Sequence, residues 1–159
     1  MSSARKHRLL DPDEPLKLAY LTYRGKPHVG GQGVYTRHLT KALVDLGHSV
    51  EVLGGQPYPV LDERVPLTEL PSLDTFNDHY PGRVPGFWEI KNRDDLLEMG
   101  VFLTGVFPEP LAFSSRAKRN LLPRAREFDL VHDNQCLGYG ILKIVEQIPT
   151  IVTLHHPIT

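Results

Sequence analysis

The sequence predicts a doubly wound α/β domain built on a parallel sheet, and three observations carry that expectation. Apolar runs at 16–22, 48–53, 128–132 and 149–154 read as strands. Segments of helical periodicity stand between them, and glycines or prolines mark the joints. A length of 159 residues fits one domain with a real core and leaves little room for a second.

Met1 to Pro15, polar and of mixed charge, reads as a disordered lead-in. Leu16 to Thr22 is apolar enough for a strand buried on both faces. A loop from Tyr23 to Gly31 follows, and a helix begins near Gln32 or Gly33. Val34, Tyr35, His38, Leu39, Ala42, Leu43 and Leu46 fall at helical spacing and predict its apolar stripe. Gly47 stands where a left-handed residue ends such a helix, and His48 to Leu53 forms the next strand before Gly54-Gly55. Strand, helix and strand make a βαβ unit, hence a parallel pair with a right-handed crossover.

From Gln56 to Phe87 the pattern dissolves into prolines and aromatics, with a short strand expected near Arg64 to Leu67. Asn92 with Asp95 resembles an N-cap pair for a helix carrying Leu96, Leu97, Met99, Val101 and Leu103. Pro108 and Pro110 punctuate, and a further helix covers Leu111 to Leu122. Phe128 to His132 is a third strand, Gly138 to Gln147 a helix, and Pro149 to Leu154 a last strand closed by His155-His156-Pro157.

Eighteen Lys+Arg against nineteen Asp+Glu argue against a general nucleic-acid binder. One cysteine, Cys136, excludes an internal disulfide framework and a cysteine-based zinc site. No apolar run approaches the roughly 20 residues that span a bilayer, and the N-terminus has no signal-type core. The expected setting is cytoplasmic.

Ligands of doubly wound folds bind beyond the carboxyl ends of the strands. That rule selects the glycine loop after the first strand, His132-Asp133-Asn134, and His155-His156, all on one rim. Gly30-Gly31-Gln32-Gly33 precedes a helix N-terminus, where free N–H groups and the dipole favour an anion. The plainer reading is a glycine turn that eases the chain into the helix. A dinucleotide fingerprint fits poorly: Tyr23 to Val29 intervene, the third glycine position holds Thr36, and Gly54 replaces the strand-end acid. The Gly-Lys-Ser/Thr of a P-loop is absent. His155 and His156 suit hydroxyl or phosphate binding or general-base work, or are simply exposed before a proline turn. A zinc site from His132, His155 and His156 is disfavoured because adjacent histidines rarely point at one ion. Arg116, Lys118, Arg119, Arg124 and Arg126 form a basic cluster, either a solvated face or a contact for a phosphorylated acceptor or an anionic membrane surface. Trp88, Phe87 and Tyr80 can stack on a sugar, but core or loop packing is their plainer fate.

The run Gly30-Gly31-Gln32-Gly33-Val34-Tyr35-Thr36-Arg37-His38-Leu39, with Ala42 to Val52, resembles the opening of family 4 glycosyltransferases. Glu127 to His132 and Ile151 to Pro157 match two later landmarks of that family. The resemblance covers residues 16 to 157 in order, loosely between Gln56 and Pro123. It implies a GT-B enzyme with two Rossmann-like domains, a retaining transferase using a nucleotide-sugar donor without a metal or other cofactor. It further implies that Gly30, Gly31 and Gln32 approach the donor diphosphate and that His155 lies near the transferring sugar as the catalytic-site residue. His132, Asn134 and His156 are expected on the substrate side. The chain stops at Thr159, directly after the late histidine strand. The expectation is therefore an N-terminal, acceptor-side domain over 16–159, incomplete at its C-terminal end. It would lack the donor-binding C-terminal domain and be inactive alone. The acceptor is not identified. Two rivals remain: a non-enzymatic sugar- or phosphate-binding module, and a nicotinamide-dependent oxidoreductase fragment.

Overall fold

The computed structural model describes residues 13–26, 31–75 and 82–155. Five parallel strands form one sheet in the order β3-β2-β1-β4-β5. They are β1 (Lys17–Thr22), β2 (Ser49–Gly54), β3 (Leu67–Glu69), β4 (Leu130–Asn134) and β5 (Thr150–Thr153). Helix α1 (Gly31–Asp45) joins β1 to β2, while α2 (Arg93–Leu103) and α3 (Glu109–Leu121) precede β4. Helix α4 (Tyr139–Val145) joins β4 to β5. The expected lead-in lies mostly outside the described residues.

Side chains alternate across a strand, so β1 divides its residues between two cores. Leu18 and Tyr20 join Val50 and Val52 beneath Leu39, Leu43 and Val44 of α1. Ala19 and Leu21 face Phe113, Ala117 and Leu121 of α3 and Ile141 and Ile144 of α4. Both faces are therefore covered, as the unbroken apolar run of β1 requires. Gly47 ends α1 with φ at 92°, where the His48 amide donates to the Leu43 carbonyl at 3.0 Å. Asn92 caps α2 by accepting from Asp94 and Asp95 N–H at 2.9 and 3.0 Å, and Asp95 reciprocates to the Asn92 amide.

Three elements depart from the sequence reading. The third strand begins at Leu67 rather than Arg64, because Pro66 has no N–H to give the ladder; its carbonyl still accepts from Val52. In α1 the sheet-facing residues are Gly33, Thr36 and Thr40, with Leu39, Leu43 and Val44 beside them. Val34, Tyr35 and Leu46 are exposed. Thr36 and Thr40 return their hydroxyl protons to the carbonyls of Gln32 and Thr36 at 2.7 and 2.8 Å, which lets them lie buried. In α2 the expected apolar residues Leu96 and Leu103 are exposed, while Asp94, Asp95 and Glu98 are buried. Arg116 of α3 supplies the reason, reaching Asp95 and Glu98 at 2.7 Å each, with Arg119 on Asp94 at 2.8 Å.

That ion-pair seam also dissolves the expected basic cluster. Arg116 is buried, and Arg124, on a 3-10 turn over Leu122–Glu127, binds Glu51 at 2.7 Å. These cations do not form one face. Phe87 and Trp88 are exposed instead of packed, and Tyr80 lies outside the described residues. No described helix is long and apolar enough to cross a membrane.

Candidate functional site

The carboxyl rim of β1, β4 and β5 meets the start of α1. Gly33 fixes that meeting, because a Cβ there would collide with the Lys26 carbonyl and the Gly25 backbone. Gly31 lies exposed at the helix start with open space around it, and Gln32 is half-buried. Gly30 and His156 fall outside the described residues.

Strand register places His132 beside Tyr20, and both project toward α1. The two rings meet at 4.7 Å, tilted by 59°. The Nε2 of His132 also pairs with the Thr153 hydroxyl at 2.7 Å. Burial, with His155 nearby, lowers the His132 pKa and favours the neutral ring. His132 therefore sits beneath the rim. Two residues on, Asn134 is fully buried and donates its Nδ2 to the Thr36 hydroxyl at 3.4 Å. Its Oδ1 lies 2.6 Å from the Nε2 of His155.

His155 is the exposed member of the group. Its ring stands edge-on to Tyr35 at 4.9 Å, and its amide donates to the Gln135 Oε1 at 2.9 Å. Gln135 reaches that position through a tight turn in which it and Leu137 hold φ near 55° and 53°. Asp133, projecting to the opposite face, stabilises the turn by accepting from Cys136 and Leu137 N–H at 3.1 and 3.3 Å. Burial pushes the Asp133 carboxyl above its ordinary range.

A second charged element stands at the same rim. Glu109 in the first turn of α3 lies 3.4 Å from Arg24 on the loop after β1. Burial pushes its carboxyl up to about 7 against the pull of Arg24. Among the described residues no three His, Cys, Asp or Glu side chains gather as metal ligands.

The assembled rim thus offers an exposed imidazole held by an amide, a hydroxyl-rich floor and a helix N-terminus. That donor–acceptor mixture suits neutral hydroxyls beside an anion. Residues 29–159 match the family model Glycosyltransferase Family 4. The chain belongs to glycosyltransferase family 4. It is 53% identical over 146 residues to an MMP alpha-(1->4)-mannosyltransferase of Mycolicibacterium hassiacum. The match covers 91% of this chain and 36% of the mannosyltransferase, so the chain spans about a third of that relative's length. Among solved structures, the C-terminal domain of a hydrogenase from Pyrococcus furiosus overlaps with a TM-score of 0.48 at 16% identity. That overlap covers 91% of this chain and 97% of the other.

Of the expected site residues, the structure brings Asn134 and His155 into direct contact above His132 and ties Asn134 to α1 through Thr36, whose hydroxyl bonds the Gln32 carbonyl, while Gly31 stands at the exposed start of that helix. Sequence reasoning missed Tyr35, Thr36, Gln135 and Thr153. Thr36 left a trace, since it occupies the position where a dinucleotide site needs glycine. Tyr35 fell within the apolar stripe and carried no separate signal.

Proposed function

We propose that the complete protein is a retaining glycosyltransferase that moves a mannosyl unit from a nucleotide-sugar donor to a hydroxyl of a glycan acceptor, without a metal. The observation that carries this reading is 53% identity to a mannosyltransferase across 91% of the chain. In it, the first amides of α1, with Gly31 and Gln32, face the leaving diphosphate and stabilise its growing charge. His155 positions the reacting sugar, while Asn134 and His132 support it from below. The setting is cytoplasmic, and any contact with an anionic membrane surface would fall to Lys118 and Arg126, since Arg116 and Arg124 are paired internally.

The test uses the full-length protein with nucleotide-activated mannose and oligomannoside acceptors, in the presence of a chelator. Transfer with the α-configuration of the donor retained is expected. Acceptor binding without any transfer would instead identify a sugar-binding module, and transfer that stops on chelation would overturn the metal-free reading.

A further inference from the structure

The rim contains a chain of hydrogen bonds whose direction is fixed from one end. The Thr36 hydroxyl has a single proton, and that proton goes to the Gln32 carbonyl at 2.7 Å. Toward Asn134 the Thr36 oxygen can only accept, so the group facing it is the Asn134 amide nitrogen, at 3.4 Å. The Asn134 carbonyl oxygen is thereby turned to His155, and an oxygen acceptor 2.6 Å from Nε2 requires that nitrogen to carry the proton. Asn134 is fully buried and Thr36 is fully buried, so water does not compete for either group. The Tyr20 phenol, buried among the same residues, is pushed well above its usual range and brings no charge to the chain.

We propose that Thr36 and Asn134 are positioning residues that hold His155 as the Nε2–H tautomer, leaving Nδ1 as the acceptor nitrogen of the ring. The neutral Nδ1–H tautomer, which would set two lone pairs against each other at Nε2, is excluded. Two further contacts fix the ring in space: its edge-on packing against Tyr35 and the bond from its backbone amide to Gln135. The inference deepens the transferase reading and takes its chemical meaning from it: an Nδ1 lone pair accepts a sugar hydroxyl proton, whereas the other tautomer presents a donor at Nδ1 and turns its lone pair toward Asn134.

The measurement is the long-range 15N–1H spectrum of the full-length protein labelled at histidine, with His155 assigned by comparison with His155→Ala. The wild-type protein should show the Nε2–H pattern. Thr36→Val, which keeps shape and deletes the hydroxyl, should give mixed tautomers, and Thr36→Ser should restore the single form. Asn134→Ser supplies a second break in case Thr36→Val fails to fold. Mannosyl transfer should fall about tenfold in kcat for Thr36→Val, the scale of a displaced acid–base group, with donor KM little changed. A wild-type Nδ1–H pattern, or an unaltered pattern in both variants, overturns the proposal. Tautomer loss in the variants of a protein that transfers no sugar would uphold the relay and sink the transferase reading instead.

Discussion

The groups beneath His155 are already satisfied: His132 is occupied by Thr153, and Asn134 lies between Thr36 and His155. Under the proposed function, the exposed His155 ring is the one that meets a substrate hydroxyl. His155→Ala in the full-length enzyme should lower turnover by about tenfold or more, measured as mannosyl transfer at saturating donor. Unchanged turnover would remove the assigned role. Glu109 offers a separate test. Its folded carboxyl is raised to about 7 from an ordinary 4.5, so the native state holds the proton more tightly than the unfolded chain does. Stability from this group is complete below the unfolded value and is lost as pH climbs to about 7. Glu109→Gln should therefore gain stability over the wild type at pH 8, by up to about 3 kcal/mol, and be nearly neutral at pH 4. Urea unfolding at the two pH values decides it, and an equal gap at both would show that burial does not control this carboxyl.

Helix α2 inverts the usual arrangement, burying three carboxylates and exposing leucines. The cause is Arg116, whose side chain is as buried as its partners. A buried pair contributes modest net stability, but removing one partner strands the other. Arg116→Ala leaves Asp95 and Glu98 without their cation and should cost about 3–5 kcal/mol in urea unfolding. Arg119→Ala, at a half-exposed side chain, should cost no more than about 1 kcal/mol. Equal costs would mean that the seam is not what docks α2 on α3. Helix α1 follows a different logic. Its close approach to the sheet is set by Gly33 and by threonines that bond internally, which leaves Tyr35 free to reach His155.

Across the whole molecule, the order β3-β2-β1-β4-β5 puts the first strand at the centre, so α1 leaves from the crevice where the order reverses. The rim at β1, β4 and α1 is a consequence of that reversal. At the far edge, β5 exposes Ile151 and Val152, and α4 beside it exposes Leu142 and Val145. An uncovered parallel edge with apolar residues on both faces invites another strand. The 159-residue chain by itself should therefore self-associate in sedimentation experiments, and Val152→Lys should shift it toward monomer. A monodisperse wild-type monomer would show that this edge is not adhesive.

The sequence by itself determined the alternation of strands and helices, the capped ends at Gly47 and Asn92, and the strand ends at which Asn134 and His155 stand side by side. These follow from local rules: periodicity, backbone freedom and the right-handed crossover. Tertiary structure alone decided which helix faces are buried, because an arginine 18 and 21 positions away makes acidic residues the inner face of α2. It also decided that Thr36, 98 positions from Asn134, completes the site. Hydrogen bonds and ion pairs across such separations leave no periodic trace, since each depends on where the sheet sets two distant backbones side by side.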